Sequence, residues 1–400
     1  MLIMANSNRL ISILLCFSLA ASVFSPDLLA QEDKADTKPI PTELPSLKEK
    51  LEEIRTKHQM PAMWCGVFHV DGRSAMAVTG VRRWNDATAA TLTDPIHLGS
   101  CTKAMTAAII GQLCSEGKLR LDSNLRDVFA NKIPPDSAWG QVTVQELLQH
   151  ESGLPANLDW WKLMKGTSDV QVARDAALQT VCKLRRPKKP NFLYSNTGYT
   201  VLGHIIEEIE DKPWEDCMRE RLARPLGMET LQFGPIVSAE GRGNADVPSG
   251  HTAQSSFGGI LNNMLGGKSK PNWSPIQIDN APVMGPAGSA NATLYDWAKF
   301  TLLFADPQGD ERLKISADVW KKLLESKSKD GYAGGWIVSE RDWAGGRIYT
   351  HAGSNTTWYC VVFVAPEKNL CYLAATNAYS DAALKACDEA IVNAISIELK

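Results

Sequence analysis

A serine followed three residues later by a lysine stands out in the segment from Gly99 to Lys103. The residues after Ser100 are small or apolar for more than two turns and include no proline, which predicts a buried helix beginning at or near Ser100. Positions i and i+3 share one face of a helix, so the Lys103 amine can reach the Ser100 hydroxyl. The N–H groups and dipole at a helix start stabilise negative charge on that oxygen. The pair is a candidate nucleophile and its partner; the alternative is a serine that only caps the helix.

A second candidate group, Tyr194-Ser195-Asn196, precedes a predicted helix over residues 201–209. Turn-forming residues place these side chains on a loop, from which a phenol and an amide can point into a cleft. We expect a neighbouring ammonium to lower the pKa of Tyr194, so that its phenol exchanges protons with Ser100 and with a leaving group. Asn196 can accept a hydrogen bond from Lys103 and donate one to a substrate carbonyl. The alternative is a capping loop with an exposed tyrosine.

A third group, His351-Ala352-Gly353-Ser354, lies at the end of a predicted strand. Glycine at position 353 lets a substrate backbone approach closely. The N–H of Ser354 could form an oxyanion hole together with the N–H of Ser100. The alternative for His351 is a hydrogen-bonded histidine at a strand end, with no role in chemistry.

Ser-x-x-Lys, Tyr-x-Asn and a strand-borne His-x-Gly, in this order and at these wide spacings, resemble the motifs of the penicillin-recognising serine hydrolases. The resemblance is to the branch of class C β-lactamases, related esterases and D-aminopeptidases. It extends over about residues 46 to 395. Four further segments also resemble parts of this family, namely residues 147–155, 224–228, 285–289 and 331–336.

The resemblance implies a role for each residue of the three groups. Ser100 would be the acylated nucleophile, and Lys103 its base or electrostatic partner. Tyr194 would relay the proton, and Asn196 would orient Lys103 and the substrate. The N–H groups of Ser100 and Ser354 would hold the oxyanion, and water would hydrolyse the acyl-enzyme. Whether Lys103 or Tyr194 is the general base stays open.

One position departs from the pattern of true class C β-lactamases, which have Lys-Thr-Gly where this chain has His351-Ala352-Gly353. The lysine of that motif helps to bind the β-lactam carboxylate. Histidine with its unperturbed pKa of about 6.5 is mostly uncharged at neutral pH. The expected substrate is therefore an ester or a peptide-like amide, with β-lactamase activity weak at most. The alternatives are a D-amino-acid peptidase or carboxypeptidase acting on cell-wall peptides, and a non-catalytic peptidoglycan-binding homologue.

The predicted fold class is α/β, of the β-lactamase/DD-peptidase type. Strand patterns occur near both ends of the chain and helical patterns between them, which predicts an antiparallel sheet flanked by N- and C-terminal helices, with an inserted and mostly helical region. We assign residues 46–117 and 325–400 to the sheet part and residues 118–324 to the inserted part. Ligand sites favour such junctions, so the cleft is expected where the two parts meet.

The amino terminus is typical of a secretory signal peptide over residues 1–30, with cleavage near Ala30, followed by a linker over residues 31–45. Arg9 precedes an apolar run that is too short for a comfortable membrane span, and small residues follow. We therefore expect a secreted or periplasmic protein with no membrane span beyond the signal peptide; the alternative is that this segment stays uncleaved as an anchor. The cysteines that follow the predicted signal peptide are scattered along the chain. Their spacing leaves open whether they form disulfides or are buried free thiols.

Several other functional classes are disfavoured by composition. The formal net charge of -3, without a basic face, argues against a nucleic-acid binder. The seven histidines show no metal-ligand spacing, so neither a metal nor another cofactor is implied. The expected partner is a small-molecule or peptide-like substrate.

Overall fold

The two ends of the described chain meet in one antiparallel sheet. The computed structural model describes residues 43–188, 190–237, 246–254, 272–306, 311–326 and 331–397. Its strands are β1 (Ala62–His69), β2 (Ser74–Gly80), β3 (Ile96–His97), β4 (Gln232–Phe233), β5 (Gly250–Gln254), β6 (Asn272–Ile276), β7 (Ala290–Ala292), β8 (Tyr332–Ala333), β9 (Trp336–Arg341), β10 (Gly346–Ser354), β11 (Tyr359–Ala365) and β12 (Leu370–Thr376). The main sheet has seven strands in the order β2-β1-β12-β11-β10-β9-β8. Small sheets of order β3-β7-β4 and β5-β6 accompany it.

Helices are the main regular elements described between β2 and β8, and helices also flank the sheet at both ends of the sequence. They are α1 (Pro45–His58), α2 (Thr102–Ser115), α3 (Leu125–Val128), α4 (Val144–Leu148), α5 (Trp160–Met164), α6 (Val170–Cys182), α7 (Asn196–Glu210), α8 (Trp214–Met218), α9 (Arg224–Leu226), α10 (Gly285–Gly288), α11 (Leu294–Thr301), α12 (Ala317–Leu323) and α13 (Asp381–Ile395). A π-helical turn, Arg219–Ala223, joins α8 to α9.

The sheet is covered on both faces, which explains why β1 is apolar at nearly every position. Successive side chains of a strand point to opposite faces. Met63 and Cys65 accordingly pack in the cluster formed by α1 and α13. Trp64 and Phe68 pack in the larger core, which includes α2. Helix α2 is buried along nearly its whole length, as a helix of small and apolar residues requires.

The predicted fold class is confirmed: an antiparallel sheet is flanked by N- and C-terminal helices, and a mostly helical region lies between its strands. The described residues form one compact unit, so the predicted division at residues 117 and 325 stays a prediction. The predicted signal peptide, residues 1–30, lies outside the described residues. The predicted linker, residues 31–45, lies outside them too, except for its last three residues. Among the residues described, no helix is both long enough and apolar enough to cross a membrane.

The cysteines of the described chain are all free thiols. Six of these eight side chains are buried, namely Cys65, Cys101, Cys217, Cys360, Cys371 and Cys387. The sequence left open whether the cysteines form disulfides or are buried free thiols. The structure has free thiols, most of which pack as small apolar side chains.

Candidate active site

Ser100 lies in a 3₁₀ turn, Gly99–Cys101, which leads directly into α2. Gly99 has φ of +46°, and a Cβ at this position would overlap the backbone N of Ser354 on β10. Glycine is therefore required both by the left-handed backbone and by the close approach of the strand. The Thr102 hydroxyl donates to the Gly99 carbonyl at 2.7 Å and accepts from the Ala290 N–H at 3.0 Å. These contacts fix the backbone that carries Ser100.

Lys103 is fully buried one turn after Ser100, and its Nζ lies 3.1 Å from Ser100 Oγ. The same Nζ donates to Asn196 Oδ1 at 2.8 Å and to the Ala287 carbonyl at 2.7 Å. Those two oxygens can only accept, so they take two N–H groups of the amine. When Lys103 is neutral, its two N–H groups are taken by these oxygens, and its lone pair points toward Ser100 Oγ.

Burial lowers the pKa of Lys103 to about 7, because a charged amine loses its hydration inside the protein. The neighbouring Cys101 acts in the opposite direction but more weakly. A lysine with this pKa is present in both protonation states near neutral pH. It can therefore accept a proton from a hydroxyl, which an ordinary surface lysine cannot do at this pH.

Asn196 is the first residue of α7, and its side chain has a fixed orientation. Its Oδ1 accepts from Lys103, and its Nδ2 donates to Asn157 Oδ1 at 2.9 Å. The preceding Ser195 caps the helix, since its Oγ accepts from the Gly198 N–H at 3.0 Å. The start of α7 thus positions both the capping Ser195 and the Asn196 amide that contacts Lys103.

Tyr194 lies against the amine, with Lys103 Nζ 4.7 Å from the centre of its ring. The expectation that a neighbouring ammonium lowers the pKa of Tyr194 is wrong. Burial raises this pKa well above its usual value, and the weaker effect of the Ser100 hydroxyl lowers it only in part. The phenol therefore keeps its proton at neutral pH. Within the described chain its buried oxygen has no hydrogen-bond partner, so the hydroxyl is free to donate to a bound molecule.

His150 belongs to this site, although the sequence indicated it only as part of a segment that resembles the family. Its ring centre lies 4.4 Å from that of Tyr332 and 4.5 Å from that of Tyr194. Its Nδ1 accepts from the Ser195 N–H at 3.1 Å. Burial, reinforced by Lys103, lowers its pKa to about 2, so the ring is neutral. A sequence signal was present, because His150 stands next to the turn residues Ser152 and Gly153, but spacing alone does not bring it to Tyr194.

The predicted substrate-binding residues lie on β10, beside Ser100. His351 is buried, with Nδ1 2.6 Å from the Ala352 carbonyl and Nε2 3.1 Å from the Tyr332 hydroxyl. A carbonyl can only accept, so Nδ1 carries a proton and Nε2 can accept from the phenol. Both ring nitrogens are therefore engaged by neighbouring groups of the protein.

Gly353 has a packing reason to be glycine. A Cβ at this position would overlap the carbonyl oxygen of Leu98, which precedes the turn that carries Ser100. The space that a side chain would occupy is therefore taken by the protein itself. This close packing sets the distance between Ser354 and Gly99, whereas a role of Gly353 in admitting a substrate backbone stays a prediction.

Among the residues that the structure describes, none pairs with one edge of β10 next to Ser100. β9 pairs with β10 only as far as Thr350, whereas β11 pairs with it through Ser354. A cavity of about 540 Å³ lies along this edge. It is lined by Ser100, Phe192, Tyr194, Tyr332, Ile337, His351, Ala352, Gly353, Ser354, Tyr359, Tyr379 and Leu384. An extended substrate could therefore pair with the free strand edge while its carbonyl reaches Ser100.

The structure thus brings together the residues that the sequence predicted as a site. Ser100, Tyr194, His351, Gly353 and Ser354 line the cavity, and Lys103 and Asn196 lie behind the serine. No cluster of His, Cys, Asp or Glu suited to a metal ion occurs in the part of the chain that the structure describes. The arrangement provides a hydroxyl, an amine with a lowered pKa, a neutral phenol and backbone N–H groups beside one cavity.

Fold and site together define a serine hydrolase of the penicillin-recognising type. The family model described as Beta-lactamase matches residues 47–394, so the chain belongs to the beta-lactamase family, as the resemblance predicted. Penicillin-binding protein 4 of Amycolatopsis lactamdurans is 26% identical over 347 residues, covering 82% of this chain and 84% of that protein. A putative D-alanyl-D-alanine carboxypeptidase of Escherichia coli O157:H7 is 26% identical over 268 residues, covering 63% of this chain and 60% of that protein.

Solved structures agree on the fold. A class C beta-lactamase from Rhodobacter sphaeroides superimposes with a TM-score of 0.68 at 16% identity, covering 88% of this chain and 99% of that one. A penicillin-binding protein homologue from Pyrococcus abyssi gives a TM-score of 0.67 at 23% identity, covering 85% of this chain and 76% of that one. At these identities the likeness concerns the fold and not the substrate.

Proposed function

We propose that the chain hydrolyses an ester or a peptide-like amide through an acyl-enzyme on Ser100. The observation that carries this proposal is the 3.1 Å contact between Lys103 Nζ and Ser100 Oγ, with the pKa of that lysine lowered to about 7 by burial. A base with a pKa near the working pH combines a large neutral fraction with useful proton affinity. Lys103 is thus the proposed general base, and Tyr194 the proposed acid.

In the proposed reaction, Lys103 takes the proton from Ser100 while Oγ attacks the substrate carbonyl carbon. The negative charge on the carbonyl oxygen is held by the N–H groups of Ser100 and Ser354. Collapse of this intermediate breaks the ester or amide bond, and the leaving group takes a proton from Tyr194. The Lys103 ammonium restores the phenol proton. Water then attacks the acyl-enzyme, releases the acid and regenerates the Ser100 hydroxyl.

The environment of His351 supports a substrate that needs no cation for its recognition at this position. Its two ring nitrogens are engaged by Tyr332 and Ala352, so neither is left to bind a substrate carboxylate. An ester or an amide without a neighbouring carboxylate fits such a ring. Replacing His351 by lysine is expected to raise β-lactam turnover modestly, by supplying the missing positive charge. Unchanged or lower turnover of a chromogenic cephalosporin by the variant would contradict this account of the carboxylate.

A second candidate function is that of a D-amino-acid peptidase or carboxypeptidase acting on cell-wall peptides. The names of the relatives from Amycolatopsis lactamdurans and Escherichia coli favour it, and the open edge of β10 suits an extended peptide. A panel of p-nitrophenyl esters compared with peptides ending in D-Ala-D-Ala separates the two candidates. Higher kcat/KM for the esters supports the first candidate, and higher kcat/KM for the peptides supports the second.

The decisive test is covalent labelling of the purified protein with a fluorophosphonate and, separately, with a fluorescent penicillin. The fluorophosphonate adduct is expected on the peptide that contains Ser100. Ser100→Ala should abolish the adduct, whereas Ser115→Ala, at the far end of α2, should not change it. Absence of any adduct on Ser100, at reagent concentrations that label a control hydrolase, would contradict catalysis. It would instead favour a homologue that only binds peptidoglycan.

We also propose that the protein is exported to the periplasm or secreted, with cleavage near Ala30. The support is the pattern of Arg9, an apolar run and small residues. Expression of the full chain in a Gram-negative host, followed by fractionation and intact-mass measurement, tests this. A periplasmic product that begins near residue 31 is expected. A full-length product confined to the cytoplasm would contradict export.

A further inference from the structure

A buried carboxylate lies behind the turn that carries Ser100. Asp279 Oδ1 is 2.8 Å from Nε2 of His97, and the two side chains are 2% and 1% exposed. The other ring nitrogen of His97, Nδ1, accepts from the N–H of Gly99 at 3.1 Å. A backbone N–H always donates, so Nδ1 is unprotonated and the ring proton is on Nε2, facing Asp279. The carboxylate thus orients a ring that contacts the residue before the proposed nucleophile.

The same carboxylate oxygen also contacts the other side of the proposed oxyanion hole. Asn355 Nδ2 donates to Asp279 Oδ1 at 3.3 Å and to the Ile278 carbonyl at 3.2 Å. Asn355 directly follows Ser354, the proposed second donor to the oxyanion. Its Oδ1 accepts from the Trp358 N–H at 3.1 Å, among other donors, and so closes the turn after β10.

Two observations show that this turn needs to be held. Thr356 has φ of +72°, a left-handed conformation that a β-branched residue rarely adopts. A residue in such a conformation persists only when its surroundings determine it. In addition, Gly99 and Ser354 approach so closely that a Cβ on Gly99 would overlap the Ser354 nitrogen. A small shift of either segment therefore changes the relative position of the two proposed N–H donors.

We propose that Asp279 is a positioning residue for the oxyanion hole. Through His97 it holds the backbone at Gly99, and through Asn355 it holds the backbone at Ser354, so one buried side chain sets the geometry of both N–H donors. This inference rests on the proposed function, because it takes those two N–H groups to bind the oxyanion. Asp279 lies behind the site and does not touch the substrate, so its effect is on the alignment of the donors.

The use of a buried carboxylate for this task has a physical reason. A buried charged oxygen is costly unless donors surround it. Asp279 Oδ1 accepts hydrogen bonds from Asn355 Nδ2 and from the N–H of Asn280 at 2.7 Å, and His97 Nε2 lies in close contact with it at 2.8 Å without hydrogen-bond geometry. Within the described chain, Oδ2 has no partner. The contacts of His97 and Asn355 thus meet at one atom of Asp279. This couples the position of the Gly99 backbone to that of the Ser354 backbone more directly than two separate contacts would.

The test compares Asp279→Ala with the conservative Asp279→Asn, both assayed with a p-nitrophenyl ester. Misplacement of catalytic groups by about 1 Å costs about 100-fold in rate, so we expect Asp279→Ala to lower kcat about 10- to 100-fold with KM changed less than about threefold. Inhibition by an arylboronic acid, whose adduct on Ser100 places an oxygen in the oxyanion hole, should weaken by a similar factor. Asp279→Asn should recover most of both losses, because its amide oxygen still accepts.

Rates are expressed per active site, counted from the endpoint of fluorophosphonate labelling, so that unfolded protein does not lower kcat. Asp296→Ala is the matched control, since it removes another buried and hydrogen-bonded carboxylate that bonds Thr230 and Lys299. This control should lower the melting temperature and leave kcat per site unchanged. If Asp279→Ala does not fold, His97→Asn replaces it. Its amide oxygen can accept from Gly99 but does not reach Asp279, and the same change in kcat and boronate affinity is expected.

The inference is overturned if the folded Asp279→Ala variant, or His97→Asn in its place, keeps kcat per site and boronate affinity within about threefold of the wild type. It is also overturned if Asp296→Ala loses as much of both as Asp279→Ala does, because the effect is then that of any buried carboxylate. Failure of the proposed function has a different signature, since the wild-type protein itself would then give no adduct on Ser100.

Discussion

Replacement of Asn196 by aspartate should move the pH dependence of acylation to higher pH. In the wild type, the Asn196 carbonyl oxygen lies 2.8 Å from Lys103 Nζ, and the pKa of that lysine is about 7. Acylation is expected to rise as pH increases through about 7, because only the neutral amine can accept the proton. The substitution puts a negative charge at nearly the same distance from the amine, with little change in side-chain volume.

The size of the effect follows from electrostatics. An opposite charge at hydrogen-bond distance raises the pKa of an amine by about 1 to 3 units. The midpoint of the acylation profile should therefore lie between about 8 and 10 in Asn196→Asp. At pH 7 a shift of 2 units lowers the neutral fraction of Lys103 from about one half to about one per cent, a rate loss of about 50-fold. The loss should disappear as the pH approaches 10.

The assay is the second-order rate constant for fluorophosphonate labelling of Ser100, measured from pH 5.5 to 10.5. Asn196→Ala serves as the control, because it removes the side-chain amide, including the oxygen that accepts from Lys103, without adding charge. Its profile should keep the wild-type midpoint or move to lower pH, since one contact that favours the ammonium is lost. If Asn196→Asp and Asn196→Ala share one midpoint, Lys103 is not the base whose ionisation limits the rate.

Three further substitutions test the site and its support. Tyr194→Phe should lower kcat for an ester by about 10²- to 10⁴-fold. Its melting temperature should be unchanged or raised, because the phenol oxygen forms no hydrogen bond within the described chain; a marked fall in stability would refute this. Gly353→Ala should destabilise the fold by more than about 2 kcal/mol in urea unfolding, since its Cβ overlaps the Leu98 carbonyl. Arg174→Met should cost about 3 to 5 kcal/mol, because it removes the guanidinium partner of the buried Glu207 carboxylate; calorimetry that shows no loss would contradict this.

The local part of the site could be predicted from the sequence because helix geometry alone determines it. Ser100 and Lys103 lie one turn apart in any helix that begins near residue 100, so the amine can reach the hydroxyl; contacts with Asn196 and the Ala287 carbonyl then hold it at 3.1 Å. Asn196 was predicted on a loop before a helix over residues 201–209, whereas the helix begins at Asn196 itself. These inferences needed only positions that are close in the chain.

The parts that the sequence did not indicate depend on tertiary contacts between distant loops. Asp279 and His97 are far apart in the chain, and neither belongs to a motif that identifies it as functional. Gly353 was predicted to admit a substrate backbone, and its close contact with the Leu98 carbonyl was not foreseen. The pKa of Tyr194 was predicted in the wrong direction because spacing reveals a neighbouring amine and not the loss of water around both groups.

That loss of water explains how an acid and a base can stand side by side in this site. Burial disfavours the charged form of any group, so it lowers the pKa of Lys103 and raises the pKa of Tyr194. Because the pKa of Lys103 is lowered, less ammonium is present to stabilise a Tyr194 phenolate. Because Tyr194 stays protonated, it provides no negative charge that would stabilise the Lys103 ammonium. Near pH 7 the pair therefore has a large population in which both groups are neutral. In that state Lys103 can take a proton from Ser100 while Tyr194 still has one to give.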